Sequence, residues 1–139
     1  MKIKTSELTG VALDWAVAKV RGFLEPMHDE PRPRVVVHTD KFGTFVWFNP
    51  QDYGRYGPED FAPSTDWQLA GLIIEEERIS LTPRDWGWDA LYHDRLFEED
   101  GSDHLMAGAY PLIAAMRCYV ASRLGDVVEV PEELTPQTI

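Results

Sequence analysis

The sequence predicts an α+β fold, in which three helices pack on a mainly antiparallel sheet of about four strands. Three segments carry apolar residues at helical spacing, and four short segments are rich in β-branched or aromatic residues. Ten prolines and ten glycines separate these segments at turn positions. With 139 residues, of which 44% are apolar, the chain is long enough for one hydrophobic core. We therefore expect a single domain over residues 1–139.

The first helix is predicted over residues 9–21, because its apolar residues recur at the spacing of one helix face. These residues are Ala12, Leu13, Ala16, Val17 and Val20. Gly22 follows, where it can adopt the left-handed conformation that ends many helices. Residues 23–34 hold three prolines, which exclude a regular helix or a central strand. We expect a loop there.

Two strands are predicted over residues 34–38 and 44–48, joined by a turn at residues 40–43. The first contains three consecutive valines, which is typical of a buried strand, and the second is its neighbour in a hairpin. The segment 49–63 is rich in Gly, Pro and Tyr and has no periodic apolar pattern. We expect a long connection there, of the kind that often carries function in compact domains.

The second helix is predicted to begin at residues 64–68, with the sequence Ser-Thr-Asp-Trp-Gln, and to run to about Glu77. Thr65 as the N-cap and Gln68 three residues later fit a capping box. Asp66 is favoured near the helix N-terminus by the helix dipole. This segment therefore carries a strong helix-start signal.

The second half of the chain predicts two more strands and a last helix. The strands are expected over residues 78–81 and 88–92, with a proline and a glycine bracketing the turn between them. The helix is predicted to have Pro111 in its first turn and to end before Gly125. The core is expected to contain Leu13, Val17, Val36, Phe45, Ile73, Leu112, Met116 and Val120.

The C-terminal tail, residues 126–139, alternates valines with acidic residues and then meets two prolines. We expect it to dock briefly on the domain and to fray over residues 131–139.

The charge balance disfavours direct binding to nucleic acids. Thirteen basic residues stand against 24 acidic ones, which gives a formal net charge of −11 at pH 7. Such a chain repels phosphate backbones, although the acidic excess is compatible both with simple solubility and with mimicry of a nucleic-acid surface. The single cysteine, Cys118, fits a reducing compartment, and no apolar run is long enough for a membrane span. We expect a cytoplasmic protein.

Three blocks of the sequence carry a family resemblance. They are Glu7-Leu8-Thr9-Gly10 leading into Ala12-Leu13-Asp14-Trp15-Ala16-Val17-Ala18-Lys19, then Pro63-Ser64-Thr65-Asp66, and then the segment from Pro111 to Ser122. Together they resemble the NinX-like family of small phage proteins, and their order is similar to phage domains described as α/β/α sandwiches. The resemblance implies an accessory protein of a phage in a bacterial host cell, and it implies no particular activity. Residues 67–72 and Tyr110 depart from the family pattern at helix boundaries.

The sequence contains no recognisable catalytic constellation. The four histidines are scattered without metal-ligand spacing, and no glycine-rich phosphate loop is present. Cys118 lies on the apolar side of a helix, where we expect a buried and inert thiol. Ser64 and Thr65 are adequately explained as helix caps. We therefore predict a protein that is not an enzyme, with no catalytic residue, no metal site and no cofactor.

The best candidate site combines the start of the second helix with aromatic residues nearby in the sequence. Aromatic rings suit a protein interface or stacking on a flat ligand, and N–H groups at a helix start can bind a ligand. Ordinary packing of the aromatic residues is the competing interpretation. The predicted binding residues are Trp47, Tyr53, Tyr56, Ser64, Thr65, Asp66 and Trp67.

Two functions fit this candidate site. The first is a non-enzymatic binding module that modulates a host or phage macromolecule, with a protein as its partner. The second is a pocket protein that captures a small ligand such as a nucleotide, in a site that could lie between the subunits of a homo-oligomer. Neither function calls for contact with a membrane or for direct contact with nucleic acid.

Overall fold

The structure, a computed structural model, describes residues 1–49, 59–93 and 103–135. The helices are α1 (Gly10–Arg21), α2 (Trp67–Glu77) and α3 (Pro111–Leu124). The strands are β1 (Lys2–Lys4), β2 (Val35–Asp40), β3 (Gly43–Phe48), β4 (Ser80–Arg84), β5 (Gly87–His93), β6 (Asp103–Gly108) and β7 (Val127–Glu129). Short 3-10 turns at Thr5–Glu7 and Glu132–Leu134 complete the described elements.

The strands form three small antiparallel sheets packed with the helices, which confirms the α+β fold with three helices. The sheets are β1 with β7, β2 with β3, and β4 with β5 and β6. They differ from the expectation of about four strands in one sheet, because β1, β6 and β7 were not predicted. No helix in the described ranges is long and apolar enough to cross a membrane.

Helix α3 lies at the centre of the core. It contacts α1, α2, β5 and β6, so nearly every face of its middle turns is covered. The side chains that are fully buried include small ones as well as large ones; they are Ala114, Ala115, Met116, Cys118 and Val120. Small residues on a helix let a neighbouring backbone come close, and the backbone of β6 approaches α3 at Gly108. A Cβ at Gly108 would lie only 2.6 Å from the Ala114 amide nitrogen, so this position requires glycine.

The three-stranded sheet covers one side of α3. Leu91 at its centre pairs with Ser80 on one side and with Leu105 on the other. β4 is an edge strand, so Pro83 lies within it without removing a ladder hydrogen bond from the sheet interior. This corrects the expectation of a turn beginning at Pro83. The turn begins after Arg84 instead.

The β2–β3 hairpin has the expected position but buries the opposite face to the one predicted. Val35 is 1% exposed and Val46 is 3% exposed, whereas Val36 and Phe45 are only half-buried. The prediction that Val36 and Phe45 belong to the buried core is therefore wrong. Three consecutive valines fit either face, and a shift of one residue turns every side chain of a strand over. The other six predicted core residues are buried.

The two ends of the described chain pair with each other in one small sheet. Lys2 pairs with Glu129 in the β1–β7 sheet, and the N-terminal amine lies 2.9 Å from the Glu129 carboxylate. Val130 and Leu134 are buried beyond this sheet, so the tail contributes to the core up to there. Residues 136–139, the last part of the segment predicted to fray, lie outside the described residues.

We expect Met116→Ala to lower the free energy of unfolding by about 2–5 kcal/mol, because it leaves a cavity among fully buried neighbours. Urea melts of the full chain measure this loss. Leu72→Ala is the matched control, since Leu72 is 58% exposed on α2 and its truncation should change stability by less than about 0.5 kcal/mol. Equal losses for the two variants would mean that α3 presents a different face to the core.

Candidate functional site

A groove lies between the first turns of α2 and α3. Its volume is about 320 Å³, and most of its lining is apolar. The residues that line it are Ser64, Thr65, Trp67, Tyr110, Pro111, Leu112 and Ile113. Two helix starts that are distant in the sequence thus form the opposite walls of one site.

The α2 wall is organised by Asp66. This residue is the N-cap, and its Oδ1 accepts a hydrogen bond of 2.9 Å from the Gln68 amide. The predicted N-cap at Thr65 is therefore wrong by one residue. The Thr65 hydroxyl instead donates to the Ala62 carbonyl over 3.4 Å, and its residue lies on the turn before the helix. An aspartate suits this position because its negative charge also interacts favourably with the positive end of the helix dipole.

The α3 wall begins at Tyr110, the N-cap of that helix. Pro111 occupies the first turn, as predicted, where its missing N–H costs nothing. The Tyr110 side chain makes no capping hydrogen bond to the helix start. Tyr110 is 68% exposed, and Trp67 on the opposite wall is 57% exposed. Two large aromatic side chains therefore face solvent at the rim of the groove.

A buried carboxylate supports the groove from below. Asp14 of α1 is 5% exposed, and its Oδ1 accepts a hydrogen bond of 2.8 Å from the amide of Ser64, which is 4% exposed. Burial raises the pKa of Asp14 to about 7, although hydrogen bonds from the Ser64 amide and hydroxyl oppose the shift; the charge of Asp60 adds to it. The protonation of Asp14 is thus linked to a residue that lines the groove.

The structure brings together part of the predicted site. Ser64, Thr65 and Trp67 line the groove, and Asp66 caps the helix between them. Tyr53 and Tyr56 lie outside the described residues.

Trp47 lies in β3, and it is not among the residues that line the groove. Its ring stacks on His38 at 4.3 Å and on Phe45 at 5.5 Å between ring centroids. These three side chains share the outer face of the β2–β3 hairpin, because Trp47 and Phe45 alternate along β3 and His38 is paired with Phe45. Trp47 therefore belongs to a separate aromatic stack.

Sequence reasoning missed Tyr110 and Asp14 as members of the site. Tyr110 directly precedes the proline that starts α3, and nothing in its local spacing indicates that α2 is near. Asp14 carried a signal, since it is an acidic residue within the apolar helix 9–21. A buried charge of this kind needs hydrogen-bond donors, and Ser64 supplies them.

The groove offers contact area more than reactivity. Its lining consists of aromatic, aliphatic and hydroxyl side chains, and no group of three His, Cys, Asp or Glu residues suited to a metal occurs within the described ranges. Cys118 is fully buried elsewhere in α3, with its thiol donating to the His104 carbonyl over 2.9 Å. Burial raises the pKa of that thiol to about 12, so it is a thiol and not a thiolate near neutral pH.

The chain matches a protein-family model. The family model described as Bacteriophage P22, NinX matches residues 4–123, which include both walls of the groove and Asp14. No curated protein matches the chain.

We expect wild-type stability to fall relative to Asp14→Asn as the pH rises from about 4 to about 7. A folded-state pKa of about 7, raised from 3.8, means that the native protein binds more protons than the unfolded chain in this window. The relative loss should approach about 4 kcal/mol, since one pKa unit corresponds to about 1.4 kcal/mol.

Urea melts at several pH values measure this difference, and Asp85→Asn, which removes an exposed carboxylate, is the control. A wild-type minus Asp14→Asn difference that does not change with pH would show that Asp14 is not perturbed by burial.

We also expect the native protein to react with a thiol reagent such as DTNB far more slowly than the urea-unfolded chain. Cys118 is buried and its thiol pKa is high, so labelling requires the protein to open. Met116→Ala should speed the reaction by loosening α3. Labelling of the native wild type at the rate of the unfolded chain would contradict the placement of Cys118.

Proposed function

Because the chain belongs to the bacteriophage P22 NinX family, we propose that it is a phage accessory protein that binds and modulates a host or phage macromolecule without catalysing a reaction. The observation that carries this proposal is the groove between α2 and α3, with Trp67 and Tyr110 exposed at its rim. Large aromatic side chains at a groove are the usual anchors of a protein interface.

The charge of the chain favours a protein over a nucleic acid as the partner. A net charge of −11 disfavours the approach of phosphate backbones, and it attracts proteins with a basic surface. The acidic N-cap Asp66 places one of these charges beside the groove. A protein partner can bury the two aromatic side chains and meet this charge at the same time.

The composition of the groove favours binding over catalysis. Of its seven lining residues, only Ser64 and Thr65 carry aliphatic hydroxyls. The Thr65 hydroxyl donates to the Ala62 carbonyl, and both the amide and the hydroxyl of Ser64 donate to the Asp14 carboxylate. These contacts hold the turn before α2 in place. The remaining lining offers an apolar floor and two rings, which supply affinity through burial.

A small ligand is the second candidate, and the size of the groove supports it. A volume of about 320 Å³ falls at the lower end of small-molecule sites, which are roughly 300–1,000 Å³. Trp67 and Tyr110 could hold a flat ring such as a nucleobase between them. Saturating ligand would then raise the melting temperature of the wild type by mass action, and Trp67→Ala would abolish the shift.

The proposal is tested by photo-crosslinking the protein to its partner within infected cells. A benzoylphenylalanine at Gln68, exposed on the first turn of α2, should crosslink to the partner while leaving Trp67 intact. The control position is Phe42, which is 78% exposed on the β2–β3 turn. The crosslinked protein is identified, purified and titrated against variants of the full chain.

We expect Trp67→Ala and Tyr110→Ala each to weaken binding of the purified partner by at least about tenfold, as truncation of an aromatic anchor does. Phe42→Ala, which removes an even more exposed ring elsewhere, should leave the affinity unchanged. A partner that binds the Trp67→Ala and Tyr110→Ala variants as tightly as the wild type would place the interface elsewhere. A thermal shift with nucleotides and no protein crosslink would favour the second candidate.

A further inference from the structure

A third exposed aromatic residue lies at the same end of the molecule as the groove. Trp86 is 60% exposed on the turn between β4 and β5. The next residue, Gly87, packs so closely on the segment leading into α3 that a Cβ there would lie 2.6 Å from the Gly108 carbonyl oxygen and 3.2 Å from the Ala109 Cα. Tyr110 follows Ala109 directly. The turn of Trp86 is thus held beside the α3 wall of the groove.

Each of the two exposed tryptophans follows an aspartate in the sequence. Asp66 precedes Trp67, and Asp85, which is exposed, precedes Trp86. Arg84 lies next to this pair, but its Nε is already 2.7 Å from the carboxylate of Asp89 in the same hairpin. We call Asp66, Trp67, Asp85, Trp86 and Tyr110 the acidic aromatic surface.

The combination of exposed aromatic rings and carboxylates is suited to binding a cation. A ring attracts a cation at its face, tryptophan most strongly, and a neighbouring carboxylate can accept the N–H groups of a guanidinium. An arginine has both a planar face for stacking and a fork of donors, which a lysine lacks.

The same fold holds one of its own arginines in this way. The guanidinium of Arg123 lies 5.6 Å from the ring centre of Tyr92 and 5.7 Å from that of Tyr119. Its Nη2 donates to both carboxylate oxygens of Glu77, at 2.8 and 2.9 Å. Its Nη1 also donates to the Tyr92 hydroxyl over 3.1 Å. Two tyrosines and one acid thus position a guanidinium in this protein.

We infer that the partner presents a basic segment to the acidic aromatic surface, with arginine side chains stacked on Trp67 and Trp86 and bound by Asp66 and Asp85. This inference rests on the proposed function and names the chemistry of its partner. A second copy of the chain fits less well, because it would bring another net charge of −11 to the interface. The apolar floor of the groove accommodates the aliphatic part of the arginine side chains.

The test uses the full-length protein and three short fluorescent peptides of equal length. One repeats arginine and glycine, the second replaces each arginine by lysine, and the third replaces it by citrulline, which keeps the shape and loses the charge. Fluorescence anisotropy at low and at physiological salt measures the dissociation constants. Screening by salt separates long-range attraction from contacts that persist at physiological ionic strength.

We expect the arginine peptide to bind at least about tenfold more tightly than the citrulline peptide at physiological salt, and more tightly than the lysine peptide. Trp67→Ala and Trp86→Ala should each weaken it by about threefold to tenfold, since an exposed cation–π contact is modest in strength. Asp66→Asn with Asp85→Asn should weaken it similarly, and asparagine preserves the helix cap.

The matched control removes two charges elsewhere through Glu25→Gln and Glu133→Gln, both at exposed positions. It should change the affinity by less than about twofold at physiological salt. The inference is overturned if both pairs of charge-removing substitutions weaken binding equally, or if neither tryptophan substitution weakens it. Either result would show that the peptide is attracted by net charge alone. If the groove still binds a crosslinked partner in that case, the proposed function is retained and only the inference about arginine fails.

Discussion

The close approach of β6 to α3 is the constraint on which the other features of the structure depend. Gly108 can lie against the backbone of Ala114 only because it has no side chain, and Ala114 and Ala115 keep that side of the helix small. The contact fixes where Ala109 and Tyr110 enter α3. It also fixes the β4–β5 turn, since Gly87 packs on the same Gly108–Ala109 segment. A methyl group at either glycine would meet backbone atoms and displace one wall of the groove.

The opposite wall is held by polar contacts in addition to packing. Asp14 reaches from α1 to the Ser64 amide, and Asp66 then caps α2 at the Gln68 amide. The first hydrogen bond is fully buried, so its strength changes with the ionisation of Asp14, whereas the second is exposed and resembles an ordinary cap. The positions of the two walls therefore depend on different interactions. The α3 wall is positioned by packing, whereas the position of the α2 wall also depends on the protonation of Asp14 and hence on pH.

The elements that the sequence predicts well are those bounded by residues with a defined backbone role. Helix α1 is capped at its C-terminus by Gly22, with φ of 77°, and α3 starts with Pro111. The β2–β3 hairpin was located, but the buried face of its three valines depends on which side the helices pack, and local pattern does not contain that information. β6 follows a polar segment and ends in Gly108, so its strand signal is weak. Tyr110 was missed for a related reason: its place in the site comes from the packing of two distant helix starts.

The exposed aromatic residues conflict with solubility unless something compensates for them. Trp67, Trp86 and Tyr110 are all more than half exposed, and apolar side chains grouped in this way promote unspecific association. A net charge of −11 opposes unspecific association between copies of the chain. The same charge favours the approach of a basic surface and disfavours that of an acidic one. In the function proposed above, acidity and aromatic exposure would act together: the rings would supply affinity, and the carboxylates would restrict which partners can reach them.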